Sequence, residues 1–347
     1  MLSKGFKVVQ PRRFEVYIED LDFNEGRTLV KIDTAAICKA DLRYYIGKRD
    51  ARVLGLKYPM NLIHEAVGTV VKDKSGRFSV GDRVVLVPNY IPDTHNSSEC
   101  KVCQNSYLGE NYCPSALFAS SNFNGFSRDY IVWPAKNLVK FDNSISFNHA
   151  VFAELTSVAN AAYRRIDSRE DDVIAVWGDG ILGYILVAVL KQFHNGDIIV
   201  IGHNEEKLSK FEGVRTFLSD DPRIRDCSIT VGFECIGGAP SEKGIEEIIN
   251  VIQPGGRIVL TGVAEDYVKI DTRRVLEKGL SLYGITRSSV KDFEVAVQLL
   301  KKADFISDIS KLVLEVDIIK NIIDYYETFE KESTNRKLGK FVMKFQF

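Results

Sequence analysis

Short apolar runs alternate with turn signals through the first part of the chain. Phe14-Glu15-Val16-Tyr17-Ile18, Leu29-Val30-Lys31-Ile32, Ala66-Val67-Gly68-Thr69-Val70-Val71 and Gly81-Asp82-Arg83-Val84-Val85-Leu86-Val87 are examples. Short apolar runs of this kind read as strands, so this region predicts a barrel-like β domain. Past about residue 150 the texture changes. Expected strands at 173–177, 198–201, 229–235, 257–261 and 280–283 now alternate with helical stretches. Strands buried on both faces read as unbroken apolar runs, and the strand–helix rhythm predicts a parallel sheet with helices on both sides. From about Lys291 the pattern predicts a long amphipathic helix and a last strand, Gly339-Lys340-Phe341-Val342-Met343-Lys344-Phe345. No internal repeat or low-complexity linker interrupts the chain.

At 347 residues the chain has room for two domains of ordinary size. A hydrophobic content of 45% with 27% charged residues is that of a soluble globular protein. The net charge of −1 lacks the basic excess of a nucleic-acid surface, yet leaves room for a basic pocket that takes a small anion. Met1-Leu2-Ser3-Lys4-Gly5-Phe6-Lys7 has no signal-like apolar core, and the most apolar window, 173–193, holds Asp179 and three glycines. Neither a signal peptide nor a membrane span is therefore predicted, and the expected location is the cytoplasm. Six cysteines are too few for a disulfide framework in a chain of this length, and three of them, Cys100, Cys103 and Cys113, fall within fourteen residues. That grouping favours metal over disulfide.

The chemistry-bearing residues come in a telling order: Cys38, His64-Glu65, Glu154, then Gly178-Asp179-Gly180-Ile181-Leu182-Gly183. A thiolate, an imidazole and two carboxylates suit zinc with one position left open. A lone cysteine or histidine is ordinarily part of a core; here it is the ordered set that points to metal. The glycine run sits between an apolar strand and the helix-like Tyr184-Ile185-Leu186-Val187-Ala188-Val189-Leu190. That context suits a dinucleotide pyrophosphate, with Gly178, Gly180, Leu182 and Gly183 as candidate contacts. A metal that polarises a carbonyl beside a nicotinamide makes a redox enzyme. NAD sites carry an acid at the end of the second strand, where this chain has Gly202, followed by His203, Asn204, Glu205, Glu206 and Lys207. Gly202 leaves room, His203 and Lys207 can face a 2′-phosphate, and NADP is favoured.

Ile37-Cys38-Lys39-Ala40-Asp41, His64-Glu65-Ala66-Val67-Gly68, Gly81-Asp82-Arg83-Val84, Glu154-Leu155-Thr156-Ser157-Val158 and Pro254-Gly255-Gly256-Arg257 carry a family likeness. With them the chain resembles, over essentially its whole length, the medium-chain dehydrogenases/reductases of the zinc alcohol and polyol dehydrogenase type. The resemblance implies an α/β protein: a GroES-like β-barrel catalytic domain over 1–148 and 288–347, interrupted by a Rossmann doubly wound parallel-sheet domain over 149–287, with the active site in the cleft between them. Pro11-Arg12-Arg13-Phe14-Glu15-Val16, Leu42-Arg43-Tyr44-Tyr45, Trp177-Gly178-Asp179-Gly180, Phe233-Glu234-Cys235-Ile236-Gly237-Gly238 and Val275-Leu276-Glu277-Lys278-Gly279-Leu280 further resemble the bacterial ribulose-5-phosphate reductases. Those enzymes make ribitol 5-phosphate for CDP-ribitol, a precursor of teichoic acids and some capsules.

The resemblance assigns Cys38, His64 and Glu154 to catalytic zinc, with Glu65 as an adjacent carboxylate and the two glutamates unranked. Asp41 becomes a candidate for holding a ligand in orientation. Ala40 stands where many relatives have a proton-relaying hydroxyl, which leaves water at the metal, Glu65 or a substrate hydroxyl for that task. Cys100, Cys103 and Cys113 resemble a structural zinc lobe usually built as C-x2-C-x2-C-x7-C, but Ser106 takes the third place and Cys113 comes one residue early. A closed site needs another donor, Glu99, Glu110 or His95; a metal-free lobe with free thiols is the alternative. Arg43, Lys48, Arg49, Arg287 and Lys291 are candidates for a substrate phosphate, Arg43 foremost because its planar fork matches one. Each of these cations, taken singly, is an ordinary solvated residue.

The expectation is therefore NADPH-dependent reduction of D-ribulose 5-phosphate to D-ribitol 5-phosphate by a homodimer or homotetramer, coupled to a ribitol-5-phosphate cytidylyltransferase. Its rivals are a dehydrogenase of an unphosphorylated polyol such as ribitol, xylitol or sorbitol, a non-catalytic nucleotide-binding protein, and a zinc-free quinone reductase.

Overall fold

The structure is a computed structural model that describes every residue of 1–347 except Ser106. The chain divides into two compact units, one formed by Met1–Ser157 and Ser288–Phe347, the other by Val158–Arg287.

The first unit is built on a seven-stranded mixed sheet. Strand Arg27–Ala36 lies at its centre, antiparallel to Glu65–Asp73, Lys340–Phe345 and Tyr130–Pro134. Arg83–Leu86 and Leu138–Lys140 extend one side, and Val313–Ile319 pairs in parallel with Lys340–Phe345 on the other. The apolar runs read from the sequence centre on the strands Arg13–Asp20, Arg27–Ala36, Glu65–Asp73 and Arg83–Leu86, the first of which forms a hairpin with Leu2–Gln10. Its core holds a cluster of aromatic rings among aliphatic side chains. The Phe14 ring stacks on Tyr45 with centroids 5.0 Å apart, and Tyr325 and Phe329 of helix Ile322–Thr334 pack edge-on against Phe14.

The C-terminal part departs from the expected single long helix. It folds as helices Val290–Leu299, Ala303–Ser310 and Ile322–Thr334, with strand Val313–Ile319 between the last two. Side-chain caps mark two of the three helix starts, while Ala303–Ser310 begins without one. Ser289 and Asn321 each begin a helix with a capping box, closed by Asp292 and Asp324. Such caps satisfy the free amides of a helix start, and Asn321 so fixes where the last helix begins.

In the second unit six parallel strands run in the order Arg215–Leu218, Ile198–Gly202, Ile174–Trp177, Val231–Glu234, Arg257–Leu260, Ser281–Gly284. Numbered along the unit this is 3-2-1-4-5-6, the doubly wound order whose switch point lies beside its first strand. Ile174–Trp177 is buried throughout, which explains its unbroken apolar run. Five of the six strands fall in the expected runs. Arg215–Leu218 was not foreseen, because it is a half-exposed edge strand with neither an apolar run nor an alternation.

The chain leaves the first unit after Ser157 and returns at Ser288. These two residues meet: their hydroxyl oxygens are 2.7 Å apart, with Ser157 0% and Ser288 2% exposed.

Candidate functional site

Strand pairing assembles the first cluster. Ala36 faces Glu65 across the sheet, which sets Cys38, two residues beyond Ala36, close to the His64-Glu65 pair. Cys38 is the N-cap of helix Lys39–Tyr45. One donor atom each from Cys38, His64 and Glu65 lies within 4.8 Å of the others, Cys38 half-buried and the other two buried. A zinc ion with bonds of about 2.0–2.3 Å holds its ligands at such separations, and the donor types are those it prefers. Glu154, near the start of helix Ala153–Tyr163, is buried but stands outside this trio. Burial pushes its carboxyl up to about 7, with Glu65 and Asp41 raising it and His64 and Lys340 lowering it.

Asp41 ties the cluster together. Its carboxylate accepts from the amides of Cys38 and Ile63, each at 3.0 Å, and from the Ser120 hydroxyl. The Asp41 Oδ1 also lies 3.4 Å from His64 Nδ1. One fully buried carboxylate thus fixes the segments that carry two donors. Burial lowers the His64 imidazole, but the charges of Asp41 and Cys38 outweigh it and hold His64 well above its ordinary value. Asp41 is in turn below the usual carboxylate range, His64 and the hydrogen bonds prevailing over burial. Ile63, directly before His64, has φ +75°, a left-handed conformation that is rare for a β-branched residue.

Both oxygens of Glu65 accept from Lys340 Nζ, at 2.5 and 2.6 Å. Lys340 opens strand Lys340–Phe345 and is itself 4% exposed. Burial alone lowers an ammonium, but Glu65 and Cys38 raise Lys340 above its ordinary value. Sequence reasoning missed this lysine, which is 275 residues from its partner.

The cysteine lobe forms a second cluster. His95, Cys100, Cys103 and Cys113 each offer a donor atom within 4.8 Å of the others. His95 Nε2 is 3.3 Å from the Cys113 sulfur and 3.6 Å from that of Cys103. Of the three replacement donors considered, the structure brings in His95; the carboxylate of Glu110 accepts from the Val290 amide instead, and Glu99 is exposed. Ser106 lies outside the described residues. The Cys103 amide pulls the Cys100 thiol down to about 6, while burial pushes the Cys103 thiol up to about 12. Three cysteines and a histidine are a donor set that closes around zinc.

In the second unit the glycine run follows strand Ile174–Trp177 and opens helix Ile181–Phe193, with Gly180 as its N-cap and no side chain closing that end. Nothing lies within 4 Å of where a Gly180 side chain would begin, so the loop is open there to a phosphate. At Gly183 the reverse holds. A Cβ would sit 2.1 Å from the Gly178 carbonyl oxygen, so only glycine lets the helix pack onto the loop. These features fit a dinucleotide pyrophosphate. Beyond the second strand, the Ser219 hydroxyl is 3.0 Å from His203 Nδ1, and Asn204 caps the short helix Glu205–Leu208 at the Lys207 amide. The space at Gly202 is filled: Asp179 reaches across from the glycine run, a residue the sequence reading passed over because it stands at the variable position of the motif.

Among the cations, Arg43 is half-buried on helix Lys39–Tyr45, and its carbonyl accepts from the Lys48 amide at 2.9 Å. The Arg49 guanidinium lies 4.9 Å from the Tyr44 ring centroid. Lys48 and Lys291 are exposed, and Arg287 has φ +61°. Among the described residues, no helix is long and apolar enough to cross a membrane.

Residues 24–143 match the Alcohol dehydrogenase GroES-like domain family, and residues 182–302 match the Zinc-binding dehydrogenase family. Ribulose-5-phosphate reductase 2 of Staphylococcus aureus is 36% identical over 99% of this chain and 99% of its own. Ribulose-5-phosphate reductase of Bacillus spizizenii is 34% identical over the full length of both. The crystal structure of S. aureus TarJ in complex with NADPH superposes over the whole of both chains with a TM-score of 0.86 at 33% identity.

Proposed function

Because the chain belongs to the zinc-binding dehydrogenases with a GroES-like domain and, among these, to the ribulose-5-phosphate reductases, we propose that it reduces D-ribulose 5-phosphate to D-ribitol 5-phosphate with NADPH. The full-length similarity to the reductases carries this reading, and the buried cluster of Cys38, His64 and Glu65 supports it. When bound, zinc polarises the substrate carbonyl and the reduced nicotinamide supplies the hydride.

The chain's own groups do the rest. Cys38 and His64 hold the metal with a carboxylate from Glu65 or Glu154. Asp41 keeps Cys38 and His64 in orientation, and Lys340 balances the charge of Glu65. Arg43, with Lys48, Arg49, Arg287 and Lys291 as further candidates, binds the substrate phosphate and so selects the carbon to be reduced. Gly178, Gly180, Leu182 and Gly183 receive the pyrophosphate; His203 and Lys207 face the adenosine end. A second zinc closes the lobe at His95, Cys100, Cys103 and Cys113. The product is the substrate of a ribitol-5-phosphate cytidylyltransferase and leads to CDP-ribitol, in a cytoplasmic enzyme working as a homodimer or homotetramer.

The test is oxidation of NADPH at 340 nm by the zinc-loaded protein with ribulose 5-phosphate and with ribulose. A strong preference for the phosphate is expected; equal or faster turnover of the plain sugar means a polyol dehydrogenase. Arg43→Ala should raise KM for ribulose 5-phosphate by about 10–100-fold, the worth of a charge-assisted contact, and leave KM for ribulose nearly unchanged. An equal change for both sugars removes Arg43 from the phosphate site.

A further inference from the structure

The glycine run spells Gly-Asp-Gly, and its acidic residue does not point idly into solvent. Asp179 Oδ2 accepts from the backbone amides of His203 at 2.8 Å and Asn204 at 2.9 Å. Those amides lie just past the C-terminal end of strand Ile198–Gly202, where a doubly wound sheet receives the adenosine ribose. The carboxylate fits because residue 202 is glycine. A Cβ at that position would stand 2.7 Å from Asp179 Oδ2 and 2.8 Å from Asp179 Cβ. Gly202 and Asp179 are thus one arrangement: the acid that NAD sites carry on the second strand is supplied here from the glycine loop across the gap. His203, fixed through its ring by Ser219, stands beside it.

We propose that Asp179 is the residue that sets selectivity between NADPH and NADH in this chain. The inference rests on the reading that a nicotinamide dinucleotide binds this loop. Two adjacent amides directed at one oxygen form a seat for an anion, and Asp179 occupies it with a charge of its own. A ribose 2′-hydroxyl can donate to that carboxylate, as NADH offers. A 2′-phosphate meets a like charge and takes the two amides only when Asp179 gives them up. NADPH therefore binds against a penalty that His203 and Lys207 offset, and NADH retains measurable affinity.

Asp179→Asn separates charge from shape, because an amide oxygen can still accept from His203 and Asn204. Dissociation constants are measured by fluorescence titration of the zinc-loaded full-length protein with NADPH, NADH, adenosine 2′,5′-bisphosphate and AMP. The last two differ only in the 2′-phosphate. In Asp179→Asn the preference for NADPH over NADH, and for the bisphosphate over AMP, should rise by about tenfold, mostly through tighter binding of the phosphorylated member. Asp179→Ala should move both ratios the same way, and it serves should the asparagine variant melt at a lower temperature than the wild type. If both ratios stay within about twofold of wild type, or all four ligands weaken together, Asp179 only pins the loop and the proposal is overturned. These ratios are read without substrate, so failure to reduce ribulose 5-phosphate sinks the functional reading alone.

Discussion

Lys340 and Glu65 face each other with side chains only 5% and 0% exposed, next to the donors of a doubly charged ion. A buried pair is expensive to break on one side, about 3–5 kcal/mol, since the other charge stays uncompensated. Lys340→Met should therefore lower thermal stability, and weaken zinc binding by about 10–100-fold in competition with a chelator. Lys340→Arg should keep the metal, and Glu65→Gln combined with Lys340→Met should cost less thermal stability than Lys340→Met alone. Unchanged zinc affinity in Lys340→Met would confine the lysine to a packing role. Asp73 offers a test by pH. Burial raises its carboxyl, but the hydroxyls of Thr28 and Ser75 and the amide of Phe78 hold it down at about 2. Its stabilisation is thus complete above the unfolded value of about 3.9 and is lost as pH falls from there through about 2. Asp73→Asn should remove on the order of 1 kcal/mol of that acid-side slope in denaturant melts, after allowance for solvent screening. At this scale the sequence reveals residues whose type announces chemistry, such as Cys38, His64 and Glu65. It hides Lys340 and Asp179, because a lysine before a strand and an acid in a glycine run look solvated until the fold supplies their partners.

Elements were legible where burial is uniform and obscure where it is not. Ile174–Trp177 and Ile198–Gly202 are buried along their length and read as apolar runs, whereas the edge strand Arg215–Leu218 does not. The last helix was merged with those before it because its start rests on the polar cap Asn321, which an apolar period does not register. The fit of the glycine loop to its helix can be tested with Gly183→Ala. A Cβ 2.1 Å from the Gly178 oxygen forces helix and loop apart. Overpacking of this kind costs about 1–3 kcal/mol, and nucleotide affinity should fall with it, both measurable by thermal melts with and without NADPH. The cysteine lobe makes a separate prediction. Elemental analysis should find about two zinc ions per chain and about one in His95→Ala, with turnover largely kept, because a structural site closes on its protein donors and leaves no position for substrate. Two ions retained in His95→Ala would exclude the histidine as a ligand.

For the whole molecule, the strings that carried the closer resemblance have structural reasons. Arg12 of Pro11-Arg12-Arg13-Phe14 pairs with Glu330, which also accepts from the Tyr45 hydroxyl at 2.6 Å, while Phe14 stacks on Tyr45. Segments from both ends of the chain are thus joined by one polar and aromatic cluster. Glu234 of Phe233-Glu234-Cys235 accepts from the amides of Ile236, Gly237 and Gly262, each at 2.9 Å, and so shapes the loops after two strands of the parallel sheet. The meeting of Ser157 and Ser288 has a consequence of another kind. Residues 158–287 begin and end at one buried point, so to the rest of the chain they are a closed loop whose contents are free to vary. Loop-closure entropy grows only with the logarithm of length, about 0.6 kcal/mol for each doubling. A larger, smaller or foreign nucleotide module could be spliced between the two serines with little cost to the metal-bearing sheet. Coenzyme preference and metal chemistry can then be inherited, and engineered, as separate cassettes.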